Sequence, residues 1–202
     1  MKKKDVSAHV YITNSKIQVL MGSCVKNKLQ VVNCYEEPLE EGCILNGIIM
    51  NNYSLQNTLT EMWQKYNLPA KGVTLVVNGS SITVKPLKVP QIAPKNVPGF
   101  IRGELRDIEG IQNMLVDYSV VTPKNPDGSC SILAVVSTRE FITSYISLFK
   151  EAKIELEVID LVQNCLIKMM KRLKSLQGRK PRSYYQHFHR RILLKLTRQL
   201  LL

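Results

Sequence analysis

The stretch from His9 to Tyr35 constrains the fold most. Val10, Ile12, Ile17 and Val19, then Leu29, Val31 and Val32, are β-branched or apolar, and two short polar breaks, Thr13-Asn14-Ser15 and Lys26-Asn27-Lys28, divide them. Side chains of this kind suit a pleated, half-buried surface, and short polar breaks between such runs are turn signals. The chain therefore opens with a strand, a tight turn and more strand.

Beyond Tyr35, four acids (Glu36, Glu37, Glu40 and Glu41) surround Pro38 and precede Gly42, which reads as a solvated connection. Cys43 to Met50 is expected to be a short edge strand. Ser54 is expected to cap a helix whose Leu55, Leu59, Met62, Trp63 and Tyr66 share one face and which Pro69 ends. Trp63 reads as a core anchor. Val73 to Val77 is a nearly continuous apolar run, as in a strand buried on both sides. Asn78-Gly79-Ser80-Ser81 turns the chain into a strand over Ile82 to Leu87. That tetrapeptide lacks the Lys-Ser/Thr ending of a phosphate-cradling P-loop. Pro86, Pro90, Pro94 and Pro98 mark a junction between lobes, followed by a helix through Phe100, Ile101, Glu104, Leu105 and Ile108. Two strands, MLVDYSVVT and CSILAVVS, flank a loop carrying Asp127-Gly128. A helix capped by Ser137 or Thr138, a strand at LEVIDLV and a helix over Val162 to Leu176 complete the order. Strands and helices in this succession make an α/β protein with two lobes.

The chain has 202 residues, enough for one real core or two small ones. Its 28 Lys and Arg against 16 Asp and Glu give a net charge of +12. Residues 171 to 202 hold ten of the basic residues and no acid, so residues 1 to 170 carry only about +2. A nucleic-acid partner is therefore not expected of the body. Five scattered cysteines without a CxxC pair read as reduced core or strand residues, with no metal site. The start MKKKDVSAHV lacks an apolar stretch and does not read as a signal peptide. No apolar run approaches the roughly 20 residues of a spanning helix, so the expectation is a soluble, cytoplasmic body.

Several passages resemble, in one order, the type IV pilus assembly protein PilM family. EEPLEEGCILNGII resembles its acidic, proline-containing segment and the glycine-isoleucine turn after it, and VTLVVNGSSITVKPLKVP resembles its next strand pair. LVDYSVV and LAVVSTREFITSYISLFKEAKIELEVIDL resemble its "DY" strand, its strand-to-helix passage and its closing Ile-Asp element. The match covers about residues 9 to 173.

The resemblance implies the actin-like, ribonuclease-H-like fold of the PilM and FtsA group, here as its first half. Residues 1–8 would be a disordered N-terminus, 9–78 the first part of subdomain 1A and 79–155 an inserted small subdomain 1C. Residues 156–176 would return to 1A as strand and helix. It further implies a cytoplasmic component at the inner membrane that binds ATP with Mg²⁺ and holds the N-terminal peptide of a membrane partner, PilN, in a groove between 1A and 1C. The apolar groove candidates by position are Val89, Pro90, Ile101 and Leu105, of which Ile101 and Leu105 read equally as core. Coupling of secretion motors to the envelope, without metabolite turnover, is the implied role.

Two departures concern the nucleotide. The family's first turn is Asp-Ile-Gly-Ser-Ser-like, whereas here Tyr11 replaces the acid and Thr13 the glycine. Close approach to phosphate favours glycine, and a lost carboxylate removes a metal partner. Thr13, Asn14, Ser15 and Lys16 are thus a remnant phosphate loop, or a plain hairpin turn. The 26 residues after Leu176 cannot form the second half that completes such a site. The expectation is a non-enzymatic scaffold without cofactor. The alternatives are an actin-like ATPase whose other half comes from elsewhere and the cytoplasmic domain of a type II secretion L protein.

Residues 177–202 read as a basic amphipathic tail. On a helical wheel, Tyr185, Phe188, Ile192, Leu193, Leu196 and Leu200 share a broad apolar face, opposite Arg191, Lys195 and Arg198. Three readings stay open: contact with a membrane surface through Phe188, Arg191, Ile192, Lys195 and Leu196, packing against a lobe or partner, and a junction product without an evolved role. Self-association is a further expectation.

Overall fold

The computed structural model describes residues 6–25 and 28–176. The chain divides into two compact units, Met1–Ser80 with Glu140–Val162, and Ser81–Arg139 with Gln163–Leu202.

The first unit is built on a five-stranded sheet. Its strands are β1 (Ser7–Ile12), β2 (Lys16–Val25), β3 (Lys28–Pro38), β6 (Val73–Val77) and β10 (Leu156–Leu161), in the order β10-β6-β1-β2-β3. β1, β2 and β3 form an antiparallel meander, whereas β6 runs parallel to β1 and β10 parallel to β6. β1 thus has an antiparallel neighbour on one side and a parallel one on the other. Ala8, Val10, Ile12, Ile17, Val19, Leu75 and their neighbours of like parity are buried on one side. Helix α1 (Asn52–Lys65) lies on this side, where Tyr66 just past its end stacks on Tyr35 of β3 at 4.3 Å. Helix α3 (Arg139–Glu151) joins it through an edge-to-face contact between Phe149 and Trp63. Trp63 also donates from Nε1 to the Pro69 carbonyl at 3.1 Å, so its polar edge is satisfied within the core.

The second unit has a three-stranded antiparallel sheet of β7 (Ile82–Val89), β8 (Leu115–Thr122) and β9 (Cys130–Ser137), with β9 central. Pro86 sits in β7, an edge strand, where its missing N–H costs no ladder bond. Helix α2 (Val97–Glu104) buries Ile101, and Leu105 caps it. Both join Val89, Val97, Ile111, Val116, Ile132, Ala134 and Val136 in one core. Helix α4 (Val162–Leu176) follows β10 directly.

The described order matches the sequence reading, with local differences that have physical causes. β1 begins at Ser7, inside the segment assigned to a disordered terminus, because Ser7 pairs with Gly22. Cys43 to Met50 is not one strand but a minimal hairpin, β4 (Ile44–Leu45) and β5 (Ile48–Ile49). Asn46 and Gly47 turn it with φ of 51° and 82°, the left-handed pair a two-residue hairpin turn requires. β3 runs on through Glu36 and Glu37, since the first accepts from Lys16 and Gln18 and the second from Lys65 and Tyr66. Asn51, not Ser54, caps α1: its side chain accepts from the Ser54 backbone N–H at 3.1 Å. The 79–155 insert takes in α3, yet the packing assigns that helix to the first unit, where its Tyr145 and Phe149 are buried. The 156–176 return keeps its strand in the first unit, while α4 from Gln163 is grouped with the second.

Candidate functional site

A recess in each unit contains residues singled out in the sequence. In the first unit, three loop tips converge: Thr13 to Ser15, Asn46-Gly47 and Asn78 to Ser80 line a polar hollow of about 460 Å³. Its walls are fixed by backbone contacts. Ser80 N–H donates to the Asn46 carbonyl at 3.0 Å. Gly47 lies so close to Asn78 that a Cβ there would stand 2.2 Å from the Asn78 oxygen. Tyr145 donates its hydroxyl to the Gly47 carbonyl at 2.7 Å. Burial pushes the Tyr145 phenol up to about 12, with the Cys43 thiol adding to the shift, so it remains a donor throughout the ordinary pH range.

Thr13, Asn14 and Ser15 of the expected phosphate loop line this hollow and Lys16 does not, and the donors of the turn are largely spent on the turn itself. The Thr13 hydroxyl donates to the Lys16 carbonyl at 3.1 Å and accepts from the Ser15 and Lys16 N–H groups at 3.3 and 3.1 Å. Thr13 N–H donates to the same Lys16 carbonyl at 2.9 Å. The Lys16 ammonium reaches Glu36 at 2.9 Å instead of the hollow. Tyr11 lines the hollow without supplying a carboxylate. No cluster of three or more metal-ligating side chains occurs among the described residues.

In the second unit, an apolar cleft of about 290 Å³ opens at the Val89–Cys130 end of the core. Val89 and Pro90 line it, together with Ile92, Pro94, Tyr118 and Val120. Ile101 and Leu105, the other two groove candidates, are 0% and 7% exposed within the core and do not line the cleft. Their periodicity on α2 serves packing. Tyr118 is half-buried, and burial, with Asp117 and Cys130 adding, raises its phenol. The sequence reading missed Tyr118, Val120 and Cys130. The signal was present: Tyr118 and Val120 alternate along β8 and so share a face, and Val120 pairs with Ile132, two residues from Cys130. The candidate membrane residues Phe188, Arg191, Ile192, Lys195 and Leu196 lie outside the described residues. No helix among the described residues is long and apolar enough to cross a membrane.

Comparison with known proteins places these features in context. A solved PilM–PilN type IV pilus biogenesis complex contains a chain that superposes with a TM-score of 0.73 at 16% identity, covering 86% of this chain and 52% of that one. The present chain thus spans about half the length of that relative. The cytoplasmic domain of EpsL, an inner-membrane component of the Vibrio cholerae type II secretion system, gives a TM-score of 0.47 at 12% identity over 78% of this chain and 57% of that one. A Bacteroides thetaiotaomicron protein with an actin-like ATPase fold gives 0.45 at 12% identity, over 87% and 59%. No curated protein sequence matches. The fold is actin-like, and the sequence profile of the type IV pilus assembly protein PilM matches residues 10–180, across both units: the chain belongs to that family.

Proposed function

We propose that this chain is a non-enzymatic scaffold of type IV pilus assembly that binds the cytoplasmic N-terminal peptide of a PilN-like inner-membrane protein and links it to the secretion motor. The observation that carries this reading is the superposition, at a TM-score of 0.73, on a chain solved as part of a PilM–PilN complex. The chain works on the cytoplasmic side, at the inner face of the membrane that holds its partner. From its second unit it offers the apolar cleft beside Val89 and Pro90, a recess suited to one or two aliphatic side chains of an extended peptide.

Titration of a PilN-like N-terminal peptide against the full chain tests the proposal. Saturable binding is expected, weakened about tenfold by Ile92→Glu, or 1.4 kcal/mol. No binding at high-micromolar peptide would overturn it.

A second reading, an actin-like ATPase whose other half is supplied by another chain, is favoured by the polar hollow at Thr13, Gly47 and Gly79. The self-engaged Thr13 and the Lys16–Glu36 pair weigh against it. Mg²⁺-dependent ATP binding by this chain alone would favour that reading over the scaffold.

A further inference from the structure

β3, eleven residues long, is the edge strand of the first unit's sheet, and among the described residues no strand pairs with its far side. Which of its backbone groups face that edge follows from the ladder. Antiparallel neighbours alternate between pairs that exchange both hydrogen bonds and pairs that exchange none. Leu39 N–H donates to the Ser15 carbonyl at 2.8 Å, which sets the phase: Ile17, Val19 and Met21 exchange bonds with β3, whereas the residues opposite Gln18, Leu20, Gly22 and Cys24 direct their N–H and C=O outward. On β3 these are Glu36, Cys34, Val31 and Leu29. Their spacing is uneven. β2 pairs Met21 with Asn33 but Gly22 with Val31, so Val32 is an extra residue in β3, and the outward positions follow one another at intervals of two, three and two. The same stretch carries exposed apolar side chains: Leu29, Val31 and Val32 are 60%, 52% and 55% exposed.

A bulge of this kind ordinarily blunts an edge, because a regular strand offers partners at every second residue and falls out of step with it. A second copy of the same strand does not. Run antiparallel, it presents the intervals two, three and two in the same order. We propose that two copies of this chain join edge to edge through β3, antiparallel about a two-fold axis between Val32 and Asn33, with Leu29 of each opposite Glu36 of the other and Val31 opposite Cys34. The seam covers residues 29–36, about 27 Å of strand at roughly 3.4 Å per residue, and takes in all three exposed apolar side chains. Charge does not oppose it: Glu36, already paired with Lys16 at 2.9 Å, meets Leu29 and not its own counterpart. The contact is made by the first unit alone and uses none of the residues that line the peptide cleft.

Sedimentation velocity of the full chain tests this, together with two variants at Val31. Val31→Pro deletes an N–H that no β2 carbonyl accepts, and Val31→Lys sets a charge at the seam on a residue already exposed, so both leave the ladder within the chain whole. The unmodified chain should dimerise reversibly at micromolar concentration, and each variant should weaken the dimer about tenfold or more. Slow alkylation of buried Cys43 checks that each variant is folded. Register is read separately. In the Val31→Cys chain, mild oxidation should link position 31 of one copy to Cys34 of the other, because Cα atoms in a bonded pair lie about 5.5 Å apart, within disulfide reach. Mass spectrometry of mixed isotope-labelled chains identifies links between copies. A chain that stays monomeric at high-micromolar concentration would overturn the proposal. So would a dimer that the folded Val31→Lys chain forms equally well, or a Cys34–Cys34 link in the unmodified dimer, which puts the axis elsewhere.

Discussion

Gly47 sits where two pieces of backbone approach most closely, and its φ of 82° lies in the left-handed region that glycine tolerates. Gly47→Ala would force a Cβ against the Asn78 carbonyl, a backbone atom that cannot yield cheaply. A loss of about 3 kcal/mol in urea unfolding is expected. Tyr145→Phe removes the hydroxyl that Gly47 accepts from and should cost about 1 to 2 kcal/mol by the same measurement. His9 makes a pH-dependent contribution. Its folded value is lowered by burial from 6.5, so the unfolded chain takes up a proton first as pH falls. The stability due to the neutral imidazole is complete above about 6.5 and declines from there towards the lower folded value. His9→Asn should flatten that decline, seen as a smaller drop in urea midpoint between about pH 7.5 and about pH 5.5.

At the scale of elements, helix α1 depends on a cap outside the apolar pattern that identified it. Asn51→Ala removes the acceptor for the Ser54 N–H and should cost about 1 kcal/mol, whereas Ser54→Ala leaves that backbone donor and the cap in place. Chemical unfolding of the two variants distinguishes them. Helix α2 gives the matching contrast between packing and binding. Ile101 is 0% exposed, and Ile101→Ala should cost about 3 kcal/mol while leaving peptide affinity of the folded protein unchanged. Ile92→Glu should do the reverse, because Ile92 lines the cleft and is only partly buried. The apolar spacing made α1 legible in the sequence, whereas α2 ends at Glu104, so that Leu105 and Ile108 of the expected helix lie beyond it. Spacing says which residues turn inward, not which of them leave a recess beside them.

For the whole molecule, the two units carry different chemistry. The first holds a polar hollow built from turn backbone, and the second an apolar cleft built from strand ends. A hydroxyl, two N–H groups and a carbonyl closed into one turn at Thr13–Lys16 offer little to a phosphate. Isothermal titration of Mg²⁺-ATP into the chain should accordingly give no saturable heat, while a PilN-like peptide should give one.

The order of strands and helices, the core role of Trp63, the inward face of α1 and the turn at Asp127-Gly128 followed from residue type and spacing alone, because local periodicity reports which side of an element is apolar. Tertiary structure decided what depends on distant partners. The Asn46-Gly47 turn became a fixed point only through Asn78, Ser80 and Tyr145, the last of them 98 residues away. Ile101 and Leu105 went to the core and Tyr118 to the cleft because three strands and a helix close around some apolar side chains and stop short of others. The opening stretch shows both sides of this: His9 to Tyr35 reads as strand and turn from its sequence, but one extra residue at Val32, visible only in the pairing of β2 with β3, decides which of its side chains share a face of the sheet.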